Sequence, residues 1–278
     1  MRGNHPGAFD AYWDTAGDLL GVQGARALRR KGTAQRLLDG KPLPIDGRVL
    51  VRSLVQAMDG EHWRKPASDS LENWAWRATP PKANGELEVA LERRIAEMGE
   101  KARWTCQMPT ASGLHGPNRD RRRSIDLVYR LGAKQYTFIE LKCAADTPLY
   151  AVLEILGYGI AYLLARRHNA ATGRLEGPQY HVLDARHVEL AILGPDWWYG
   201  YRTRGGANKQ YDLAPLLDCI QTGLDTTLRD ALGSKPETIS LMALNHSWRP
   251  GAAIDGVAAQ VVAAFHTRAA SAGAAQRL

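Results

Sequence analysis

Two short segments of this chain, residues 124–130 and 136–143, are rich in the β-branched and aromatic residues that suit a pleated strand. Only a short turn separates them, so the pattern predicts a β-hairpin. Charged side chains within such a hairpin constrain its fold, because one face must be buried while the other accommodates charge. Three charged residues of these strands are Asp126, Glu140 and Lys142.

The register of the hairpin decides which of these charges meet. Side chains alternate across a strand, so Glu140 and Lys142 share one face. With Leu131 opposite Gln135 at the turn, counting back along both strands places Asp126 opposite Glu140. Facing Cβ atoms lie roughly 4.5–5.5 Å apart, which is close enough for two carboxylates to share a divalent cation. Because like charges repel without a cation or a proton between them, the pattern favours a metal site.

The hairpin lies within a regular order of predicted helices and strands. Apolar spacing predicts a helix over residues 86–98, and a strand follows at 103–108. After the hairpin, a Thr-Pro pair suits the start of a helix over 147–166, and 188–193 is a further strand. This order predicts an α/β fold in which a central mixed sheet is flanked by helices.

We divide the rest of the chain around this core. Residues 1–80 are predicted to be a mostly helical N-terminal extension, and residues 81–278 a domain whose core spans about 86–193. The boundary lies at the consecutive prolines 80 and 81, which cannot continue a helix. The other predicted elements are helices at 11–38 and 49–58, an extension of the sheet at 197–201, a helix at 212–232, a strand at 239–244 and a helix at 254–267.

The helix at 147–166 carries polar groups outside its main apolar stripe. At 100° per residue, Glu154, Tyr158 and Tyr162 lie opposite that stripe. A Tyr hydroxyl and a carboxylate one turn apart are expected there either to help orient a phosphate or a metal-bound water, or to face solvent. Gly157 and Gly159 lie within this helix, where a glycine lowers the stability of the helix by about 1 kcal/mol relative to alanine. Their presence indicates that another element packs closely against this helix.

Composition narrows the functional classes. The chain has 36 Lys and Arg against 29 Asp and Glu, and the net charge of +7 suits an anionic partner such as nucleic acid. Its 3 cysteines include no CxxC pair, so neither a disulfide framework nor a zinc knuckle is supported, and a reducing cytoplasm is expected. The most apolar window, residues 149–165, is shorter than the roughly 20 residues of a membrane span. We therefore expect a cytoplasmic protein without a membrane partner.

The order of Asp126, then Glu140, Leu141 and Lys142 on the next strand, resembles the metal-binding signature of the PD-(D/E)XK nuclease superfamily. Members typically carry a glutamate on the helix before the first core strand. Glu88 matches that position, with apolar residues three and seven positions later and a glycine near the helix end. The resemblance covers roughly residues 86–192 and implies a restriction-endonuclease-like core of order αβββαβ, with C-terminal helices added.

Two positions depart from the family pattern. Ile125 stands where the motif has a proline, and Glu154 and Tyr158 stand where many members carry Gln and Tyr. The first position varies within the family, and the second concerns which groups of that helix touch the substrate. Glu92 and Glu97, on the helix before the first core strand, are predicted to be solvent-facing charges.

The resemblance implies a role for each motif residue. Asp126 and Glu140 would bind Mg²⁺, for which Mn²⁺ can substitute, and the Leu141 carbonyl would be a third ligand. The metal would lower the pKa of its bound water and polarise the phosphoryl oxygen. Lys142 would position or deprotonate the attacking water, and Glu88 would complete the site from the helix side, through water or at a second metal.

Basic residues precede the first strand of the hairpin. The polar, Gly- and Pro-rich loop at 110–123 ends in Arg119, Arg121, Arg122 and Arg123. These arginines are predicted either to contact the phosphate backbone, without reading sequence, or to be a solvated loop. With Tyr158 of the following helix, they are the predicted nucleic-acid-binding residues.

The sequence thus predicts a Mg²⁺-dependent nuclease, with DNA favoured over RNA as the substrate. The main alternative is a non-catalytic module on the same fold that binds nucleic acid or a protein. A weaker one is a phosphodiesterase or exonuclease acting on ends or on RNA. A homodimer is a further hypothesis, because double-strand cleavage usually requires two such sites.

Overall fold

The computed structural model of the protein describes residues 8–59, 71–77, 86–110, 123–173, 175–203, 205–232, 238–249 and 251–275. Its α-helices are α1 (Ala8–Leu19), α2 (Ala25–Leu28), α3 (Lys31–Leu37), α4 (Gly47–Met58), α5 (Leu87–Met98), α6 (Pro148–Thr172), α7 (Ala214–Leu232) and α8 (Ile254–Ala275). Its strands are β1 (Trp104–Pro109), β2 (Ser124–Gly132), β3 (Gln135–Leu141), β4 (His187–Pro195), β5 (Gly200–Arg202), β6 (Asn208–Gln210) and β7 (Thr238–His246). The predicted boundary at residues 79–81 lies outside the described residues.

A five-stranded mixed sheet forms the centre of the fold, with strand order β1-β2-β3-β4-β7. β1, β2 and β3 pair antiparallel, whereas β4 is parallel to both β3 and β7. The predicted α/β class, the mixed sheet and the order α5, β1 to β3, α6, β4 are confirmed. Because β3 has neighbours on both sides, its carboxyl end lies within the sheet rather than at an edge.

The pairing of β2 with β3 follows the predicted register from Arg130 opposite Tyr136 to Leu127 opposite Ile139, and Asp126 and Glu140 are the next residues of the two strands. The turn is different, because a bulge in β2 makes Gly132 rather than Leu131 the partner of Gln135. A bulge places one extra residue in one strand. Here the extra residue is taken up next to the turn, so the register toward the charged end is unchanged.

Helices cover both faces of the sheet. One face packs against α6 and the N-terminal helices in a hydrophobic cluster that includes Phe9, Leu54 and Phe138. The opposite face packs against α5 and α8 around Ile95 and Phe265. Residues of the N-terminal segment therefore share a core with the sheet.

The helical stretch predicted at residues 11–38 is confirmed as helical, and the structure divides it into three shorter helices. Gly21 and Gly24, between α1 and α2, have φ angles of +65° and +74°. Glycine adopts this left-handed conformation readily, and it does not continue a right-handed helix. The chain turns at these glycines, so that α2 and α3 follow a different direction from α1.

α6 is the central helix, and its two glycines have close neighbours. A methyl group at Gly157 would lie 3.1 Å from the Phe9 ring, and one at Gly159 would lie 2.6 Å from a Leu190 methyl. The predicted close packing is confirmed. The helix begins at Thr147, whose Oγ1 accepts a hydrogen bond from the Tyr150 amide at 3.3 Å, and it ends six residues later than predicted. It is long and apolar enough to cross a membrane, but 89% of its most apolar window is buried within the protein.

The predicted extension of the sheet at residues 197–201 is wrong. Asp196–Tyr199 is a short 3₁₀ helix, and β5 pairs with β6 in a separate two-stranded sheet. Pro195 ends β4 because proline has no N–H to continue the ladder. Trp198 then folds back, with its indole Nε1 donating to the Ala145 carbonyl at 3.2 Å. The place beside β4 is taken by β7, in the region of the predicted strand at 239–244.

The variant Gly223→Ala tests how tightly α4 packs on α7. A methyl group at Gly223 would lie 2.1 Å from the Gly47 carbonyl oxygen, whereas one at Gly256 in α8 meets nothing within 4 Å. We expect Gly223→Ala to lower the free energy of unfolding by about 1–3 kcal/mol through overpacking. We expect Gly256→Ala to raise it by up to about 1 kcal/mol. Urea unfolding measures both, and equal stabilities for the two variants would contradict this packing.

Candidate active site

The motif residues of the hairpin meet at the carboxyl end of β3. The Lys142 ammonium donates to Glu140 Oε1 at 2.6 Å, and both side chains are buried. Asp126, from β2, accepts a hydrogen bond from the Leu141 amide through Oδ2 at 2.8 Å. The local cause is the sheet itself, because β2 and β3 hold these residues in facing positions.

Glu88 reaches the same place from the first turn of α5. Its Oε1 accepts a hydrogen bond from the Cys143 amide, just after β3, at 2.7 Å. This contact ties the start of α5 to the end of the central strand. The structure therefore brings together all four predicted catalytic residues, Glu88, Asp126, Glu140 and Lys142.

Glu154 completes the surroundings of Lys142 from α6. Its Oε2 lies 3.4 Å from the Lys142 ammonium, so this ammonium is shared by carboxylates of β3 and α6. Burial lowers the pKa of Lys142, but Glu140, Glu154 and Asp126 outweigh that effect and raise it well above its usual range. Lys142 is therefore a cation and a hydrogen-bond donor in this arrangement.

The positive charge near the two predicted metal-binding carboxylates, Asp126 and Glu140, is too small to offset the effect of burial on their pKa values. Burial, together with the charges of Asp126 and Glu154, raises the pKa of Glu140 well above its usual range. Burial also raises the pKa of Asp126 to about 7, although Lys142 opposes this shift. Glu140 Oε2 is buried and has no hydrogen-bond partner among the described residues. The charge of Lys142 alone does not keep both carboxylates ionised.

These oxygens suit a hard divalent cation, which prefers carboxylate and carbonyl ligands. The unpartnered Glu140 Oε2 leaves one oxygen available as a ligand. The Asp126 carboxylate and the Leu141 carbonyl would supply the adjacent oxygen ligands. Within the described part of the chain, no group of three or more His, Cys, Asp or Glu side chains has the arrangement of a metal site. A cation here would therefore use a backbone carbonyl or water beside the two carboxylates.

Glu92 contradicts the prediction that it faces solvent. Its side chain on α5 is 3% exposed, and its Oε2 has no partner among the described residues. Burial and the nearby Asp126 raise the pKa of Glu92 to about 9, although a hydrogen bond with Gln107 opposes the shift. Its spacing of four from Glu88 was the available signal, since it puts both residues on one face of α5. Glu97 is partly exposed and pairs with Arg93, as a surface charge does.

The polar face predicted for α6 is wrong at Tyr158 and Tyr162, because α6 is buried nearly all round between Pro148 and Ala165, whereas Glu154 contacts Lys142 in the site. Tyr158 is 5% exposed, with its ring centroid 5.7 Å from that of Phe9. Tyr162 is fully buried, and its hydroxyl donates to the Val182 carbonyl at 2.9 Å. α1 covers this side of α6, so the structure does not favour the predicted contact between Tyr158 and nucleic acid.

Among the predicted nucleic-acid-binding arginines, Arg123 is described. Its guanidinium lies 4.1 Å from the centroid of the Phe9 ring, so it is close to α1. Arg119, Arg121 and Arg122 lie outside the described residues. Their contact with a phosphate backbone stays a prediction.

A second charged group beside the site was missed by the sequence interpretation. Arg29 donates to both carboxylate oxygens of Asp146, at 2.9 and 3.0 Å, and to the Tyr150 hydroxyl at 2.6 Å. Trp13 stacks on the Tyr150 ring with 4.5 Å between centroids. No local pattern could reveal this group, because Arg29 lies more than 100 residues before its partners in sequence.

No protein-family model, curated protein or solved structure matches the chain. The site itself combines carboxylates of β2 and β3, a buried ammonium and two glutamates from α5 at the end of the central strand.

The stability of the fold should depend on pH through Glu92. The folded chain keeps the proton of Glu92 up to a pKa of about 9, whereas the unfolded chain releases it near 4.5. Stability contributed by this group is complete below the lower value and is lost as the pH rises toward the higher one. In EDTA, we expect Glu92→Gln to match wild type at pH 4 and to exceed its free energy of unfolding by about 1–3 kcal/mol at pH 8.

The matched control is Glu97→Gln on the same helix, whose carboxylate is partly exposed. Urea unfolding at both pH values gives all three free energies. A stability difference between Glu92→Gln and wild type that does not change with pH would show that Glu92 is ionised in the folded chain.

Proposed function

We propose that the protein is a metal-dependent nuclease with a restriction-endonuclease-like fold, and that it hydrolyses phosphodiester bonds, with DNA favoured over RNA. The observation that carries the proposal is the buried, unpartnered Glu140 Oε2 beside the Asp126 carboxylate and the Lys142 ammonium. Phosphodiester hydrolysis requires an activated water and neutralisation of charge on the phosphoryl oxygens. These groups match both requirements.

Asp126, Glu140 and the Leu141 carbonyl would hold Mg²⁺, or Mn²⁺ in its place. Glu88 would complete the site from α5, through water or at a second metal. When bound, the metal would lower the pKa of a water ligand and polarise the phosphate. Glu88 already accepts a hydrogen bond from the Cys143 amide, which orients its carboxylate toward the end of β3.

Lys142 would act as a hydrogen-bond donor. Its raised pKa keeps it protonated near neutral pH, which supports positioning of the attacking water and contact with a phosphoryl oxygen. The same shift argues against Lys142 as the base that removes the proton of the water. Glu140 and Glu154 hold its ammonium on two sides and limit the directions in which it can donate.

Asp126→Asn and Lys142→Ala should each abolish most of the cleavage activity. Each removes one charged group of the site, and we expect losses of about 10²–10⁴-fold in rate. The assay uses supercoiled plasmid, linear duplex, single-stranded DNA and RNA, each with Mg²⁺, Mn²⁺ or EDTA. Lys134→Ala, at the opposite end of β3, is the matched control and should keep full activity.

A metal titration separates a nuclease from a binding module on the same fold. We expect calorimetry to detect Mn²⁺ binding by wild type and to lose it in Glu140→Ala, with circular dichroism checking that the variant is folded. Cleavage of no substrate by wild type, with nucleic acid still bound, would contradict the nuclease proposal and favour the binding module. Cleavage of RNA or of free ends alone would correct the substrate.

A further inference from the structure

A strongly basic stretch in the N-terminal segment has no role in the proposed chemistry. Between residues 19 and 38 there are five basic residues and no acidic one. All five belong to α2, α3 and the turn that joins these helices and are exposed, and four of them lie within residues 26–31: Arg26, Arg29, Arg30 and Lys31. We call these four residues the α2–α3 basic surface.

Hydrogen bonds fix this surface beside the candidate site. Arg29 pairs with Asp146 in the turn between β3 and α6. The Leu28 carbonyl accepts a hydrogen bond from the Thr147 hydroxyl at 3.3 Å, next to that pair. Because Lys142 and Asp146 lie on the same short connection after β3, the basic surface adjoins the end of the strand that carries the site.

Arg29 is the member nearest to the catalytic groups. Partial burial lowers its pKa, but Tyr150, Asp146 and Glu154 outweigh this effect and raise it. Glu154 also contacts Lys142, so a single carboxylate influences both cations. The Arg29 side chain is still 50% exposed, which leaves part of its guanidinium open to a ligand.

The backbone around Arg29 holds this guanidinium in a defined direction. Asp146, which accepts from it twice, has a φ angle of +58°, a conformation that residues other than glycine adopt at some cost. The Tyr150 hydroxyl binds the same guanidinium, and Trp13 stacks on the Tyr150 ring. A guanidinium held in this way is suited to bind a phosphate, because binding then restricts few further conformations.

We propose that the α2–α3 basic surface binds the phosphate backbone of the DNA substrate next to the cleavage site, with Arg29 contacting the phosphate nearest to the metal-binding carboxylates. This inference rests on the proposed function and assigns substrate binding to the N-terminal segment. Phosphate contacts by Arg and Lys would supply affinity and position without reading sequence.

An anionic membrane is the other partner that such a surface could attract. Membrane-binding helices of this kind insert apolar side chains between the lipids. Here the apolar residues of the two helices point into the protein, since Leu28 and Ala34 are fully buried and Leu37 is 7% exposed. The surface offers charge without an apolar anchor, which favours nucleic acid.

The test is the salt dependence of binding to a labelled duplex in EDTA, where no cleavage occurs. The test variant is Arg30→Gln/Lys31→Gln, which leaves the Arg29 contacts in place. The control is Lys134→Gln/Arg186→Gln, which removes the same charge from exposed residues at the far end of β3. Fluorescence anisotropy at salt concentrations from about 50 to about 200 mM gives the binding constant K, and from it the slope of log K against the logarithm of the salt concentration.

We expect the slope for the test variant to be smaller than that for wild type by about 0.9 for each phosphate that the variant no longer neutralises. We expect the control to keep the wild-type slope. Equal weakening by both pairs would show that only net charge matters and would overturn the inference, as would an unchanged slope in the test variant. Binding to phosphatidylserine vesicles but not to duplex would assign the surface to a membrane instead.

The outcomes for this surface and for the nuclease are separable. If wild type binds duplex through the surface but cleaves nothing, the surface stands and the proposed function fails. If wild type cleaves and the test variant cleaves with the same KM and salt dependence, the function stands and the surface is wrong. Arg29→Lys adds a check: a raised KM with unchanged melting temperature indicates contact with substrate rather than support of the fold.

Discussion

The buried ammonium of Lys142, held between Glu140 and Glu154, is the interaction on which the rest of the site depends. The side chains of Lys142 and Glu140 are 7% and 4% exposed, so the Lys142 ammonium is removed from water. Removing the partner of a buried charge typically costs about 3–5 kcal/mol, because the charge is then uncompensated. Since Glu140 lies on β3 and Glu154 on α6, the contacts of Lys142 constrain the end of β3 and the first turns of α6 together.

The fold meets this constraint by enclosing β3 on all sides. β2 and β4 pair with its two edges, and helices cover both faces of the sheet. Thr147 caps α6 soon after β3 ends, which places Glu154 two turns into the helix and within reach of Lys142. The N-terminal helices then cover the outer side of α6. Tyr12 donates to the Leu153 carbonyl at 2.6 Å, so α1 is bonded to the helix that holds Glu154.

The parts that sequence predicted are those governed by local periodicity. The alternation of side chains in β2 and β3 was enough to bring Asp126 opposite Glu140, and a bulge at the turn did not alter it. The glycines of α6 revealed that another element approaches closely, because glycine within a helix is unfavourable unless space demands it.

The parts that sequence missed depend on which element covers which face. Helical spacing places Glu92 on the Glu88 side of α5 but cannot tell whether that side is buried. It likewise separates Tyr158 from the apolar stripe of α6 without revealing that α1 covers it. Arg29 was invisible for the same reason, since its partners are set by the packing of the N-terminal helices. Local patterns predict faces, and tertiary contacts decide what those faces meet.

The carboxylates of the candidate site and the adjoining α2–α3 basic surface carry opposite charges, and this arrangement connects the two proposals. Asp126, Glu140 and Glu92 have pKa values raised by burial and by neighbouring carboxylates, so they bind protons unless a cation is present. A divalent cation and protons must therefore compete for the oxygens of Asp126 and Glu140, and metal affinity should fall as the pH is lowered through the raised pKa values of these two groups. A phosphate backbone cannot approach bare carboxylates favourably, but it can approach them when cations lie on both sides of its path. The metal would supply one side, and Arg29 with the rest of the α2–α3 basic surface would supply the other.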